Sequence, residues 1–201
     1  MKLYYSPGAC SLAPHIAMRE LGIPVELHKV DLKAKQYDGG DYKQVNAKGY
    51  VPAIRTDDGT VLTECPVILQ YLADQKPDSG LAPRAGDKAR YKLQEMLSYI
   101  TSELHKTYSP LFRKETPAET REERLGYLRK RYTLIDHLLE GKSFLFGDRF
   151  TVADAYLFAV TRWAHGVKFD LSELRHVQEF MQRVAERPAV KAAMEAESLK
   201  R

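Results

Sequence analysis

The sequence has only two cysteines, Cys10 and Cys65, and it lacks a long hydrophobic run. Two cysteines are too few for a disulfide framework, so reduced thiols are predicted. The longest fully apolar run, residues 155–160, has six residues, whereas a membrane-spanning helix needs about 20. Ser6 and Pro7 end the first apolar stretch after a few residues, so this stretch is too short for a secretory signal. We therefore expect a cytoplasmic protein that does not enter a membrane.

The excess of positive over negative charge is also small: the sequence has 31 Lys and Arg residues and 27 Asp and Glu residues, for a net charge of +4. The basic residues are interspersed with acidic ones at helical spacing, which is typical of a solvated helix surface. A nucleic-acid footprint requires basic residues gathered on one face. We therefore predict no nucleic-acid partner. With 44% hydrophobic residues in 201, the chain has enough apolar material to bury one large core or two small ones.

The first 77 residues alternate β-like and helical segments. Strands are predicted at residues 3–5, 25–30, 53–55 and 61–63, and helices at residues 11–21 and 65–75. Asp57, Asp58 and Gly59 separate the last two strands and predict a hairpin turn. A βαβ unit followed by ββα predicts an α+β, thioredoxin-like domain with a four-stranded mixed sheet.

Beyond Pro77 the strand signal ends, and the pattern becomes helical. We predict a first domain of residues 1–77, a linker of residues 78–86 rich in proline and glycine, and an all-helical domain of residues 87–201. Apolar stripes predict long helices at residues 89–108 and 120–139, and shorter ones at 173–186 and 188–195. Thr151 and Asp154 stand three apart ahead of the apolar run, which predicts a capping box.

Cys10 lies between the first predicted strand and the first predicted helix. The free N–H groups and the dipole of a helix N-terminus favour a thiolate, so Cys10 is a candidate nucleophile or thiol-exchange centre. The alternative is a small buried hydrophobic residue. Ala13 occupies the position where a Cys-x-x-Cys dithiol has its second cysteine, which excludes that motif. A single active thiol needs a thiol partner, and the abundant small thiol of a reduced cytoplasm is glutathione.

Two further segments offer backbone groups to a peptide-like ligand. A cis Val51–Pro52 bond would turn the Val51 backbone outward, where it pairs with a peptide as an added strand does; an ordinary trans proline is the alternative. Glu64 and Cys65 open a predicted helix whose N–H groups favour an anion, while the Glu64 carboxylate accepts an ammonium. Both features suit the γ-glutamyl end of glutathione, although a solvated carboxylate at a helix start explains Glu64 equally well.

In the helical part, Ser98, Ser102 and His105 stand at i, i+4 and i+7, so they are predicted to share one helix face, bordered by Lys106. This face is a candidate ligand contact, and a surface or core-edge histidine is the alternative. Aromatic residues at positions 156, 158 and 163 have helical spacing and are predicted to lie in the core. No metal is predicted, because no metal-ligand spacing relates the other histidines: His15, His28, His137, His165 and His176.

Residues 2–15, Lys-Leu-Tyr-Tyr-Ser-Pro-Gly-Ala-Cys-Ser-Leu-Ala-Pro-His, resemble the opening of bacterial beta-class glutathione transferases. The resemblance continues in order over essentially the whole chain. Residues 45–53 resemble the family's segment before its cis-proline, and residues 62–64 its γ-glutamyl contact. Residues 102–106 resemble its site on the first helix of the second domain, and residues 150–156 its capping box.

The resemblance implies a homodimer whose active sites lie between the two domains of each subunit, with glutathione as co-substrate bound mostly to the first domain. It implies that Cys10 contacts the glutathione sulfur and forms a mixed disulfide with it, with Tyr5, Ser11 and His105 nearby as catalytic residues. It also implies a glutathione-binding set: Lys35, Val51, Pro52, Glu64, Cys65, Ser98, Ser102, His105 and Lys106. The sequence departs from the family pattern at Cys65, where Ser or Gly is usual, and at Ser98, where Asn is common.

Three functions follow from these residues. The first, which we expect, is a detoxifying transferase in which the thiolate of glutathione attacks a small hydrophobic electrophile. The second is a glutathione-dependent thiol oxidoreductase or peroxidase, in which Cys10 forms and resolves a mixed disulfide. The third is a non-catalytic ligand-binding or regulatory member of the same fold. No motif in the sequence identifies the electrophile.

Overall fold

The computed structural model describes residues 1–199, and its first part is built on a four-stranded mixed sheet in the order β2-β1-β5-β6. The strands of the chain are β1 Lys2–Tyr5, β2 Glu26–Lys29, β3 Gln36–Tyr37, β4 Gly40–Asp41, β5 Ala53–Arg55 and β6 Val61–Thr63. β1 pairs with β2 in parallel and with β5 in antiparallel, and β5 pairs with β6 across the predicted hairpin. The predicted fold class is confirmed. The small β3–β4 hairpin was not predicted.

Alternation along β1 divides the apolar side chains between the two faces of the sheet. Leu3 and Tyr5 point toward α1 Leu12–Glu20 and α2 Cys65–Gln75, within the main hydrophobic core. Tyr4 points to the opposite face, where it joins a smaller core with Val30, Tyr42, Val51 and Ala53. The cis Val51–Pro52 bond that the sequence predicted is present, at the entry to β5.

The second part is helical, and α6 is its central element, since every residue of α6 is buried. The predicted capping box is present at its start: the backbone N–H of Thr151 donates to the Asp154 carboxylate at 2.8 Å. None of the helices in residues 1–199 is both long and apolar enough to cross a membrane. The helices of this part are α3 Lys88–Tyr99, α4 Lys106–Tyr108, α5 Ala118–Leu139, α6 Val152–Thr161, α7 Trp163–Val167, α8 Arg175–Ala185 and α9 Pro188–Ala196.

The segment predicted as one long helix at residues 89–108 is helical but interrupted. The prediction of a continuous α-helix was therefore wrong. α3 ends at Tyr99, and Ile100–His105 forms a π-helical turn before α4. A π turn closes i→i+5 hydrogen bonds, so the residues after it point in a different direction from those of a regular α-helix. The apolar stripe continues through Ile100 and Leu104, both buried. For this reason hydrophobic spacing did not reveal the change.

The two parts share one hydrophobic core, because α1 packs against α6 and α9 as well as against α2. A buried carboxylate strengthens this junction: Glu197 lies 2.9 Å from Nδ1 of His15 and accepts the Gly8 N–H at 3.1 Å. The indole N–H of Trp163 donates to the Gly8 carbonyl at 2.8 Å. These contacts hold the loop between β1 and α1 against the helical part.

Candidate active site

A cleft of roughly 600 Å³ lies between the sheet part and the helical part. Its first wall is formed by residues 6–10 before α1, residues 51–52 before β5 and residues 64–66 at the start of α2. Its second wall is supplied mainly by the helical part and carries three aromatic side chains. This wall consists of Thr101, His105, Lys106, Ser109, Phe112, Tyr156 and Trp163.

Cys10 reaches the cleft but is 94% shielded from solvent, with 6% of its surface exposed. Its thiol donates to the Val51 carbonyl at 3.5 Å. Burial raises the pKa of Cys10 to about 12, although the nearby backbone N–H groups of Cys10 and Ser11 act in the opposite direction. A rise of this size is worth about 4 kcal/mol, whereas a helix terminus contributes roughly 0.3–1 kcal/mol. Burial therefore outweighs the helix N-terminus and favours the neutral thiol of Cys10 over the thiolate that its position in the sequence predicts.

Cys65, at the first position of α2, is the second buried thiol of the cleft. Its Sγ lies 3.7 Å from the Cys10 carbonyl oxygen. Burial is the main cause that raises its pKa well above the usual range, followed by the proximity of Cys10 and Glu64. Both cysteines are free. The cleft therefore holds two neutral thiols on neighbouring segments.

Glu64 immediately precedes α2 with a φ of 68°, which is rare for a residue that has a side chain. Its carboxylate accepts hydrogen bonds from the Lys48 ammonium and, at 3.0 Å, from the Tyr50 hydroxyl. The hydrogen bond from Lys48 is the main cause that lowers the pKa of Glu64. An ionised carboxylate thus stands at the edge of the cleft, next to the first N–H groups of α2.

His105 closes the π turn and faces the cleft. Its Nδ1 atom lies 2.7 Å from the Tyr156 hydroxyl, and its ring meets the Trp163 ring edge-on at 4.9 Å. Burial, aided by the charge of Lys106, lowers the pKa of His105 to about 4. The imidazole is therefore neutral at physiological pH. Lys106 lies beside it as an exposed cation that also lines the cleft.

Five of the predicted site residues do not line the cleft. Tyr5 and Ser11 are buried beneath it, and the Ser11 hydroxyl bonds to the backbone of Ser6. Lys35 donates to the Gly49 carbonyl at 2.6 Å. Ser98 and Ser102 are exposed, and Ser102 donates to the Ser98 carbonyl. His105 lines the cleft whereas the two serines do not, so the three residues do not form the shared ligand-facing surface that regular helical spacing predicted.

Several cleft residues were missed by sequence reasoning because their spacing is that of core residues. Tyr156 is buried, and its hydroxyl contacts His105. Phe158 lies in the core as predicted. The rings of Trp163 and Phe112, which both line the cleft, meet edge to face with their centroids 5.4 Å apart. The signal that the sequence did offer is the Tyr hydroxyl and the Trp indole N–H, since these groups usually form a hydrogen bond when the ring is buried.

Comparison with known proteins follows the two parts of the fold. A family model described as the glutathione S-transferase N-terminal domain matches residues 8–75, and one described as the glutathione S-transferase C-terminal domain matches residues 99–188. Glutathione S-transferase GstA of Escherichia coli O157:H7 is 50% identical over 201 residues, covering 100% of both chains. The similarity therefore extends from end to end.

Solved structures agree with these matches. The glutathione S-transferase of a sphingomonad, solved in complex with glutathione, has a TM-score of 0.95 and 43% identity, with 100% of each chain covered. The beta-class glutathione S-transferase of Sphingomonas chungbukensis has a TM-score of 0.95 and 44% identity, again with 100% of each chain covered. The fold of the chain is thus that of these bacterial glutathione S-transferases.

Proposed function

The chain belongs to the glutathione S-transferase family, among its bacterial beta-class members, and we propose that its cleft joins the sulfur of glutathione to a small hydrophobic electrophile. The observation that carries this proposal is the division of the cleft into two unlike walls. The sheet-side wall offers an ionised carboxylate, a helix N-terminus and two thiols. The helical wall offers the rings of Phe112, Tyr156 and Trp163.

The sheet-side wall matches the tripeptide group by group. Glu64 accepts the γ-glutamyl ammonium, and the N–H groups at Cys65 receive its carboxylate, since a helix N-terminus favours an anion. The Val51 backbone and Pro52 lie beside the cysteinyl residue, and Lys106 at the rim suits the far carboxylate. Lys35, which the resemblance assigns to the tripeptide, donates instead to the Gly49 carbonyl and does not line the cleft. We leave Ser98 and Ser102 outside this set, because both are exposed and lie outside the cleft.

In this proposal the glutathione sulfur lies next to Cys10 and His105, and when the peptide binds, the Cys10 thiol turns its hydrogen from the Val51 carbonyl to the sulfur. Neutral donors in a shielded cleft stabilise a thiolate and lower the pKa of the bound thiol. The thiolate then attacks the electrophile on the aromatic wall, and its proton leaves to solvent. Tyr5 and Ser11 support this arrangement from below through the loop before α1.

The experiment that tests the proposal is conjugation of glutathione with an aryl halide by the wild type, by Cys10→Ala and by Cys65→Ser as the matched loss of a buried thiol. We expect the wild type to form the thioether. A wild-type protein that binds glutathione without forming it refutes the proposal. Loss of conjugation in Cys10→Ala alone assigns a direct role to that thiol.

Thiol–disulfide exchange is a second candidate function, and the observation that favours it is the pair of thiols in one cleft. Cys10 attacks a glutathione disulfide, one glutathione leaves, and the mixed disulfide is then reduced by a second thiol. If Cys10→Ala retains conjugation but loses exchange with glutathione disulfide, Cys10 belongs to this second activity. A non-catalytic role is the least supported of the three functions, given a cleft that retains Cys10, Glu64 and His105.

We also propose that the protein is a homodimer in the cytoplasm. A groove between α2 and α3 exposes apolar side chains, with 48% of Val67 and 68% of Tyr91 accessible. Exposed aromatic and aliphatic side chains at one site are typical of an interface. The mass of the wild type in solution, measured by light scattering, should be twice that of the chain, and Tyr91→Asp should lower it. A monomeric wild type contradicts this assignment.

A further inference from the structure

The hydroxyl of Tyr156 has a geometry that determines where its hydrogen lies. It is 2.7 Å from Nδ1 of His105 and 3.4 Å from the hydroxyl oxygen of Thr101. The Thr101 hydroxyl is only 2.8 Å from the Leu97 carbonyl, which takes the Thr101 hydrogen. The short contact of Tyr156 is therefore the one to His105, and a separation of 2.7 Å is that of a strong hydrogen bond.

Two arrangements of hydrogens are compatible with a neutral imidazole. In the first, Tyr156 donates to Nδ1, and the ring carries its hydrogen on Nε2. In the second, Nδ1 donates to the Tyr156 oxygen, and the phenol hydrogen must then use Thr101 at 3.4 Å, which is long for an O–H donor. A buried hydroxyl that loses its hydrogen bond is penalised, so the first arrangement is favoured.

The charge states agree with this assignment. Burial lowers the pKa of His105 to about 4, so the ring is neutral at physiological pH. Burial also raises the pKa of Tyr156 above its ordinary range, so the phenol keeps its hydrogen. The pair therefore has one hydrogen on oxygen and one on the ring.

The remaining ring nitrogen, Nε2, has no hydrogen-bond partner within residues 1–199, and His105 lines the cleft. The edge-on contact at 4.9 Å with Trp163, itself tied to the Gly8 carbonyl at 2.8 Å, restrains the ring plane. Nε2 is thus the polar atom that His105 offers to a bound molecule.

We propose that Tyr156 is a positioning residue that holds His105 as its Nε2–H tautomer, so that His105 serves the reaction as a neutral hydrogen-bond donor and not as a base. This role rests on the proposed function. In the reaction the Nε2–H bond stays intact and points at the glutathione sulfur. The thiol proton goes to solvent, the sulfur electron pair forms the new S–C bond, and the leaving group departs with the electrons of its own bond.

The tautomer is tested without any activity measurement, by NMR of protein labelled with ¹⁵N-histidine. We expect a protonated Nε2 and an unprotonated Nδ1 for His105 in the wild type, and a mixture of both tautomers in Tyr156→Phe. Tyr132→Phe is the matched control, since Tyr132 is also buried and its hydroxyl contacts Tyr108 and Thr161. A protonated Nδ1 in the wild type, or an unchanged tautomer in Tyr156→Phe, overturns the inference.

Kinetics test whether Tyr156 acts through His105. We expect Tyr156→Phe to lower kcat about ten-fold with a much smaller change in KM for glutathione, and Tyr132→Phe to leave both near wild type. In a His105→Ala background the Tyr156→Phe change should have no further effect. An equal loss in both backgrounds contradicts the positioning role. A wild type that does not conjugate refutes the proposed function, whereas the NMR result still decides the tautomer.

Discussion

Acidification should destabilise the protein through His105, and the structure gives the size of the effect. The folded state holds this imidazole at a pKa of about 4, whereas the ordinary value is 6.5. Between these two values the unfolded chain binds a proton that the folded chain does not, so stability rises with pH. The contribution of His105 to the free energy of unfolding is fully present above about pH 6.5. This contribution is lost as the pH falls toward 4.

A difference of this size is worth about 3 kcal/mol at the acidic end. Because one edge of the ring opens to the cleft, we take about 2–3 kcal/mol as the expected range. Such an amount is a large fraction of the stability of a typical domain. It is therefore within reach of a denaturation experiment.

The measurement is urea unfolding of the wild type and of His105→Gln at several values between about pH 4.5 and 7.5. Glutamine removes the titrating group while keeping a polar side chain of similar length. We expect the difference in free energy of unfolding between the two proteins to shrink as the pH falls. His137→Gln, on the exposed face of α5, controls for loss of a histidine. A difference that is constant across the range refutes the assigned burial of a neutral imidazole.

Three further changes have expected outcomes. Asp154→Ala should lower the free energy of unfolding by about 3 kcal/mol in urea denaturation. The substitution removes the carboxylate that accepts the N–H groups of Thr151 at 2.8 Å and Leu145 at 2.9 Å. A loss below about 1 kcal/mol would contradict the stabilising role of this buried cap. Glu64→Gln should raise KM for glutathione about ten-fold with little change in kcat in steady-state kinetics, and a reduced kcat at unchanged KM would argue against an ammonium contact. Cys65→Ser should prolong the lifetime of a Cys10–glutathione mixed disulfide in mass spectrometry, and equal lifetimes would exclude Cys65 as the second thiol.

Local signals predicted three of the elements near the sheet side of the cleft with the correct bounds. β5, β6 and α2 begin and end where the sequence placed them, because Gly59 marks the turn and Pro66 occupies the first turn of the helix. The capping box at Thr151 was predictable for the same reason. Its two residues interact with each other across three positions, so no tertiary information is needed.

The features that were not predictable depend on contacts between distant segments. The π turn places His105 in the cleft while Ser98 and Ser102 lie outside it. The sequence did not reveal this turn, because the turn leaves the apolar stripe intact. The role of Tyr156 depends on a partner 51 positions away. The burial that raises the pKa of Cys10 could not be predicted, because a sequence reveals the helix N-terminus beside a residue but not the depth of its burial.

The high pKa of Cys10 bears on which reaction the cleft favours. An anionic Cys10 would repel a glutathione thiolate beside it, because two like charges at close range in a shielded site oppose each other strongly. In the proposed complex a neutral thiol and a neutral imidazole instead present hydrogens to the sulfur, while the charges of Glu64 and Lys106 stand at the edge and rim of the cleft, where the two ends of the peptide carry opposite charges. We infer that this division stabilises the thiolate of the bound peptide in preference to that of the protein. It therefore favours conjugation, because exchange through Cys10 must first ionise a thiol whose burial raises its pKa.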